Sequence, residues 1–160
     1  MTDDILILVV DDNQENLKVV SNFLKELDYK IALASDGESA LHILETEKFD
    51  LILLDIMMPG MDGFEVCNKL KENADTKDIP VIFLTARNET DDIIRGFQMG
   101  GVDYITKPFR KEELLIRVKN HVKLKQIRDY LTKNEMETRQ SRDFFMKAFY
   151  DLQRIVNRTR

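Results

Sequence analysis

The chain is poor in the residues that would mark several common protein classes. It holds one cysteine, Cys67, in 160 residues. No intrachain disulfide can form, which excludes the stapled framework of a small secreted domain. No run of eighteen apolar residues occurs, which excludes an apolar membrane-spanning helix. The segment "ILILVV" follows an acidic Met1–Asp4 and is too short and wrongly flanked for a signal peptide. No glycine or proline follows Pro108, so residues 110–160 lack the usual helix breakers. Where a dinucleotide fold needs a glycine-rich turn after its first strand, this chain has "VVDDNQEN". Together these absences favour a soluble cytoplasmic protein. Its 43% hydrophobic content is enough to bury a sizeable core in one domain of usual size.

Charge is unevenly spread. Residues 1–109 hold 10 basic and 22 acidic residues, and residues 110–160 hold 14 and 7. A basic tail can signal nucleic acid. Here the bases are interspersed with acids, as on a solvated helix face, so no direct nucleic-acid contact is expected.

What is present is an alternation of apolar runs and helical patterns. Ile5–Val10 reads as a strand buried on both faces, as in parallel sheets. Asn16–Leu27 places Leu17, Val20, Phe23, Leu24 and Leu27 at helical spacing. Strands then follow at Lys30–Ala34, Asp50–Asp55, Ile79–Thr85 and Val102–Thr106. Helices are expected at Asp36–Glu47, Gly63–Glu72 and Glu89–Gly100, and a fifth opens after Pro108. This order predicts an α/β fold, a doubly wound five-stranded parallel sheet. Such sheets bind ligands beyond the carboxyl ends of their strands. Those ends carry Asp11 and Asp12, Asp55, Thr85, and Lys107 with Pro108.

Asp55 stands in "LILLDIMMPGMDGFE", inside an apolar run. An unpaired charge there would lose its water at high cost. Three clustered carboxylates suit a hard divalent cation, Mg²⁺, which binds one or two carboxylates together with phosphate oxygens. Asp55 can then act as a nucleophile and form an aspartyl-phosphate. Lys107 can neutralise phosphoryl oxygens, and Thr85 can donate a hydrogen bond to one of them.

With "LLDIMMPGMDGFE", "PVIFLTA" and "DYITKPF" beside Asp11-Asp12, the chain from Ile5 to Leu124 resembles the receiver domain of two-component response regulators. The resemblance implies a flavodoxin-like strand order, 2-1-3-4-5, and phosphoryl transfer to Asp55 from a sensor histidine kinase or a phosphotransfer protein. It implies Mg²⁺ held by Asp12, Asp55 and the Met57 carbonyl, with Asp11 helping through water. It implies a cis Lys107-Pro108 peptide and a switch formed by Thr85 and Tyr104. Catalysis would be limited to the domain's own phosphoryl transfer and dephosphorylation.

Simpler roles exist for several of these residues. Asp11 and Asp12 can cap the first helix. Pro59, Gly60 and Gly63 read as turn residues. Met57, Met58 and Met61 fit either an ordinary loop or an adaptable apolar contact. Tyr104 can be a half-buried strand residue, and Cys67 is expected in the core. An aspartyl phosphatase of the haloacid dehalogenase type would need a second Asp two residues past the nucleophile, where this chain has Met57. An interaction module that works without phosphorylation, and the front end of a longer hybrid signalling protein, are the alternatives.

Residues 125–160 are expected to extend the fifth helix. Leu124, Ile127, Leu131, Phe145, Ala148, Leu152 and Ile155 follow alternating three- and four-residue spacing, with Asn134, Thr138 and Ser141 as a polar middle. That pattern fits a parallel homodimeric coiled coil, and the other reading is a linker helix.

Overall fold

The computed structural model describes residues 4–86, 90–133 and 139–159. The chain forms two compact units, Met1–Leu115 and Ile116–Arg160.

In the first unit, five strands alternate with helices. They are β1 (Leu6–Val10), α1 (Gln14–Leu24), β2 (Lys30–Ala34), α2 (Gly37–Thr46), β3 (Leu51–Asp55), α3 (Gly63–Glu72), β4 (Val81–Ala86), α4 (Thr90–Gln98) and β5 (Asp103–Lys107). All pairings are parallel and the order is β2-β1-β3-β4-β5. The expected helix over Asn16–Leu27 finishes as a 3-10 turn at Lys25–Leu27. It closes at Asp28, whose φ of 60° is left-handed.

The strands are apolar runs because both of their faces are covered. Leu8, Val10, Ile52, Leu54, Val81 and Phe83 belong to a core with Ala40, Leu44, Phe64, Val66, Cys67 and Leu70 from α2 and α3. The alternate residues Ile7, Val9, Leu53, Ile82 and Leu84 are fully buried as well. The first three helix starts have a polar cap: Asn13 for α1, Asp36 for α2 and Asp62 for α3. The Asp36 carboxylate accepts from the Ser39 amide and hydroxyl, which holds its pKa below the ordinary value.

α5 (Lys111–Lys133) leads from the first unit into the second, which also contains α6 (Arg139–Arg158). Within the second unit α6 runs antiparallel to α5. Arg117 donates to the Thr159 carbonyl near one end, and the Tyr130 and Phe145 rings lie 4.5 Å apart near the other. The extension is therefore a helical hairpin and not one continuous rod. Of the heptad residues expected to meet a second chain, Phe145 meets Tyr130 of its own chain. The inner face of α6 also differs by one position from the expected one. Val156 is buried while Ile155 is 47% exposed, and Phe145, Phe149 and Leu152 are half-buried. Asn134 and Thr138 lie outside the described residues, and Ser141 is exposed. Among the described residues no helix is long and apolar enough to cross a membrane.

Candidate functional site

The carboxyl edge of the sheet gathers residues that are up to 96 positions apart in the sequence. β1 lies between β2 and β3 and ends at Val10, so Asp11 emerges between the ends of those two strands; its amide donates to the Ala34 carbonyl. Asp11 is fully buried and Asp12 is exposed. The capping role goes to Asn13, whose side chain accepts from the amides of Glu15 and Asn16. Asp11 is oriented instead. It accepts from the Asn13 amide at 2.9 Å and from the Asn16 side chain at 3.2 Å. Sequence reasoning passed over Asn13 and Asn16, although the Asp-Asp-Asn-x-x-Asn spacing was there to read.

β3 ends at Asp55, which is 3% exposed. Its neighbourhood is held by glycine. A Cβ on Gly63 would lie 2.2 Å from the Asp55 carbonyl oxygen, and the Gly63 amide donates to the Ile56 carbonyl at 2.9 Å. Gly63 thus does more than turn the chain: it lets α3 start directly against the backbone of the acidic residue. Gly60, at φ 76°, is the true turn glycine. Between Asp55 and Gly60, Met57 is 72% exposed while Met58 is buried.

Lys107 closes the site from β5. Its Nζ donates to Asp55 Oδ1 at 2.9 Å and lies 3.1 Å from Asp11 Oδ2. The Lys107-Pro108 peptide is cis. Thr85, at the end of β4, is buried and its hydroxyl donates to the Ala86 carbonyl at 3.3 Å. Tyr104 is half-buried, with its ring edge-on to Phe97 at 6.1 Å. Arg87, two residues past Thr85, lies outside the described residues.

The electrostatics of this group are unbalanced. Carboxylate oxygens of Asp11, Asp12 and Asp55 all lie within 4.8 Å of one another. Among the described residues, one ammonium, that of Lys107, is bonded to these carboxylates. Burial pushes the Asp55 carboxyl up to about 7; the Lys107 hydrogen bond opposes this, and the Asp11 charge and Asp12 contact reinforce it. Burial pulls Lys107 down, but its bonds and charge interactions with Asp55 and Asp11 outweigh that and leave it raised. A hard divalent cation fits this donor set: it supplies the missing positive charge to oxygen ligands. The sequence-read residues Asp11, Asp12, Asp55 and Lys107 are therefore brought together, with Thr85 on the adjacent strand end.

A parallel α/β sheet of order 2-1-3-4-5 with an acidic group and a lysine at its carboxyl edge defines a doubly wound domain with its site at the topological switch. The profile of the response regulator receiver domain matches residues 7–119. Response regulator PleD of Caulobacter vibrioides is 41% identical over 133 residues, covering 83% of this chain and 29% of PleD. Alkaline phosphatase synthesis transcriptional regulatory protein PhoP of Bacillus subtilis is 44% identical over 113 residues, 71% of this chain and 46% of that protein. The structure of chemotaxis response regulator CheY4 of Vibrio cholerae superposes with a TM-score of 0.70 at 29% identity, covering 74% of this chain and 99% of that one. This chain belongs to the response regulator receiver domain family. It spans less than half the length of either curated relative.

Proposed function

We propose that the chain is a two-component response regulator whose receiver, residues 1–124, accepts a phosphoryl group on Asp55 from the phosphohistidine of a sensor kinase or phosphotransfer protein. One observation carries this reading: Lys107 Nζ bridges Asp55 and Asp11, with Asp12 beside them. A carboxylate oxygen of Asp55 attacks phosphorus. The phosphorus–nitrogen bond breaks, and the imidazole leaves with the electron pair. Lys107 keeps its charge and neutralises the phosphoryl oxygens. The Thr85 hydroxyl exchanges its long bond to the Ala86 carbonyl for one to a phosphoryl oxygen. Tyr104 then turns inward to fill the space that Thr85 leaves. Mg²⁺, when bound, supplies charge neutralisation at the acidic group; Asp12, Asp55 and the Met57 carbonyl would hold it, with Asp11 acting through water. Asp55 must be ionised to attack, and a bound cation would favour that form against the burial that raises its pKa.

Incubation with a small phosphodonor tests the reading. Phosphate should appear on Asp55 alone, and not in chelator or in Asp55→Asn. Incorporation that survives either condition overturns it.

Output is proposed to pass through the face made by α4, β5 and α5, toward a second copy. The extension, residues 125–160, supports a homodimer through its helices. With α5 and α6 closed on each other, the outer stripe of α6 is one exposed apolar surface among the described residues, where Phe144 is 68% and Ile155 47% exposed. Their eleven-residue separation puts them on one side of the helix. Sedimentation of the full chain and of a version cut after Lys125, each with and without beryllofluoride, decides it. Monomers throughout would make the extension a linker.

A further inference from the structure

α4 touches the acceptor region by a route that uses neither Thr85 nor Tyr104. Gly63 abuts the Asp55 carbonyl, and the next residue, Phe64, is buried. The Phe64 ring packs at a tilt of 52° against Phe83 of β4, with centroids 5.6 Å apart. From α4 the Arg95 guanidinium carbon lies 4.4 Å from the Phe64 centroid. Among the described residues Arg95 has no carboxylate partner, so the ring is what its charge meets. Its neighbour Gly96 sits so close that a Cβ there would be 2.9 Å from Phe83. α4 therefore rests on the Phe64–Phe83 pair through a glycine seat and a cation–π clasp, and the same pair backs α3 where it starts against Asp55.

We propose that Arg95 is a positioning residue that couples α4 to the acceptor loop through Phe64. The proposal rests on the phosphoacceptor reading above. The loop between Asp55 and Gly63 carries the Met57 carbonyl and is tied at its far end by the Gly63 amide bond to Ile56. A ligand that tightens this loop shifts the first turn of α3, and with it the ring that Arg95 covers. The coupling is reciprocal: whatever loosens α4 from Phe64 must also weaken what the loop holds. An exposed arginine on an aromatic face makes a modest contact. The coupling is therefore a bias on α4, and it changes what the acceptor loop holds by the same modest amount.

Hydrogen exchange of the α4 amides in the full chain tests this, with and without Mg²⁺ plus beryllofluoride. Binding of beryllofluoride is followed separately by its ¹⁹F signal. In the unsubstituted protein the ligand should change α4 exchange. In Arg95→Met, which keeps the stem and loses the charge, ligand-free α4 exchange should rise about two- to fivefold. The ligand-dependent change should shrink by at least half. Arg95→Lys should retain most of both effects, and Phe64→Leu should behave like Arg95→Met. Thr85→Ala serves as the control for the other route, and combining it with Arg95→Met should remove more of the response than either alone. Equal α4 responses in the unsubstituted protein and Arg95→Met, with beryllofluoride bound to both, overturn the coupling and leave the acceptor reading intact. No ¹⁹F signal from bound beryllofluoride in the unsubstituted protein overturns both.

Discussion

The two compact units are built from the same kinds of side chain but hold them very differently. The Met1–Leu115 unit buries its strands on both faces, with Ile7, Leu8, Val9, Val10 and Leu51–Leu54 fully inaccessible. In the much shorter Ile116–Arg160 unit, Ile116, Tyr130, Phe144, Tyr150 and Ile155 are exposed. The difference follows from how each is registered. In the sheet, backbone pairing and the two-residue side-chain period fix which face every residue takes, and a slip by one would reverse them all. A pair of helices has no backbone bonds between its members, and side-chain packing alone sets how they meet. The first unit can therefore hold buried charges at fixed separations. The second presents a graded apolar surface suited to contact.

The comparison is open to direct test, from the strongest effect downward. Asp55→Asn should abolish phosphate incorporation from a small donor, whereas Phe144→Ala should leave it unchanged. Incorporation lost with Phe144→Ala would mean that the hairpin belongs to the site.

Gly63→Ala forces a methyl against the Asp55 carbonyl and should cost stability at the upper end of about 1–3 kcal/mol, as overpacking does. Urea unfolding measures it. A midpoint unchanged within error would show that α3 is free to move away from β3.

The third test is pH. In the metal-free protein Asp55 titrates near 7, against an ordinary 3.8. Between those values the folded state binds more protons than the unfolded chain. The Asp55 contribution therefore favours folding most at low pH and is lost as pH rises through 7. Urea midpoints in chelator should fall between pH 5 and 7.5, with a slope that Asp55→Asn removes. Added Mg²⁺ should raise the midpoint at pH 7.5.

A subtler effect concerns the lifetime of the phosphoryl group. Hydrolysis needs a water held in line, and the exposed Met57 thioether holds water poorly. Met57→Asn should speed loss of phosphate several-fold in a filter assay, and an unchanged rate would sink this explanation. Last, Phe144→Ala and Ile155→Ala should each change monomer stability by under about 0.5 kcal/mol. A larger loss would place these side chains inside a packed core.

Much of this was readable from the chain alone. Apolar runs such as Leu51–Leu54 can satisfy both faces only in a covered parallel sheet, so strand identity was legible, whereas the strand order came from the resemblance to the receiver family. The site was legible because a doubly wound sheet delivers every strand end to one edge, which carries Asp11, Asp55, Thr85 and Lys107 wherever they fall in sequence. The caps of α2 and α3 obey a local rule that the sequence reading did not use: Asp36 and Asp62 stand immediately before their helices.

What remained was decided by contacts between distant residues. Which of Asp11, Asp12 and Asn13 caps α1 depends on where β2 and β3 leave Asp11, and Lys107 draws that carboxylate inward. Gly63 looked like a turn residue because nothing in its neighbours' identities reports the Asp55 carbonyl beside it. Arg95 over Phe64 joins two helices that share no sequence pattern. The tail shows the limit most plainly. Heptad spacing determines that a helix has an apolar seam, but the seam's energy is much the same against any apolar helix. Only the tertiary structure decided that α6 meets α5 of its own chain and turns Val156, not Ile155, inward.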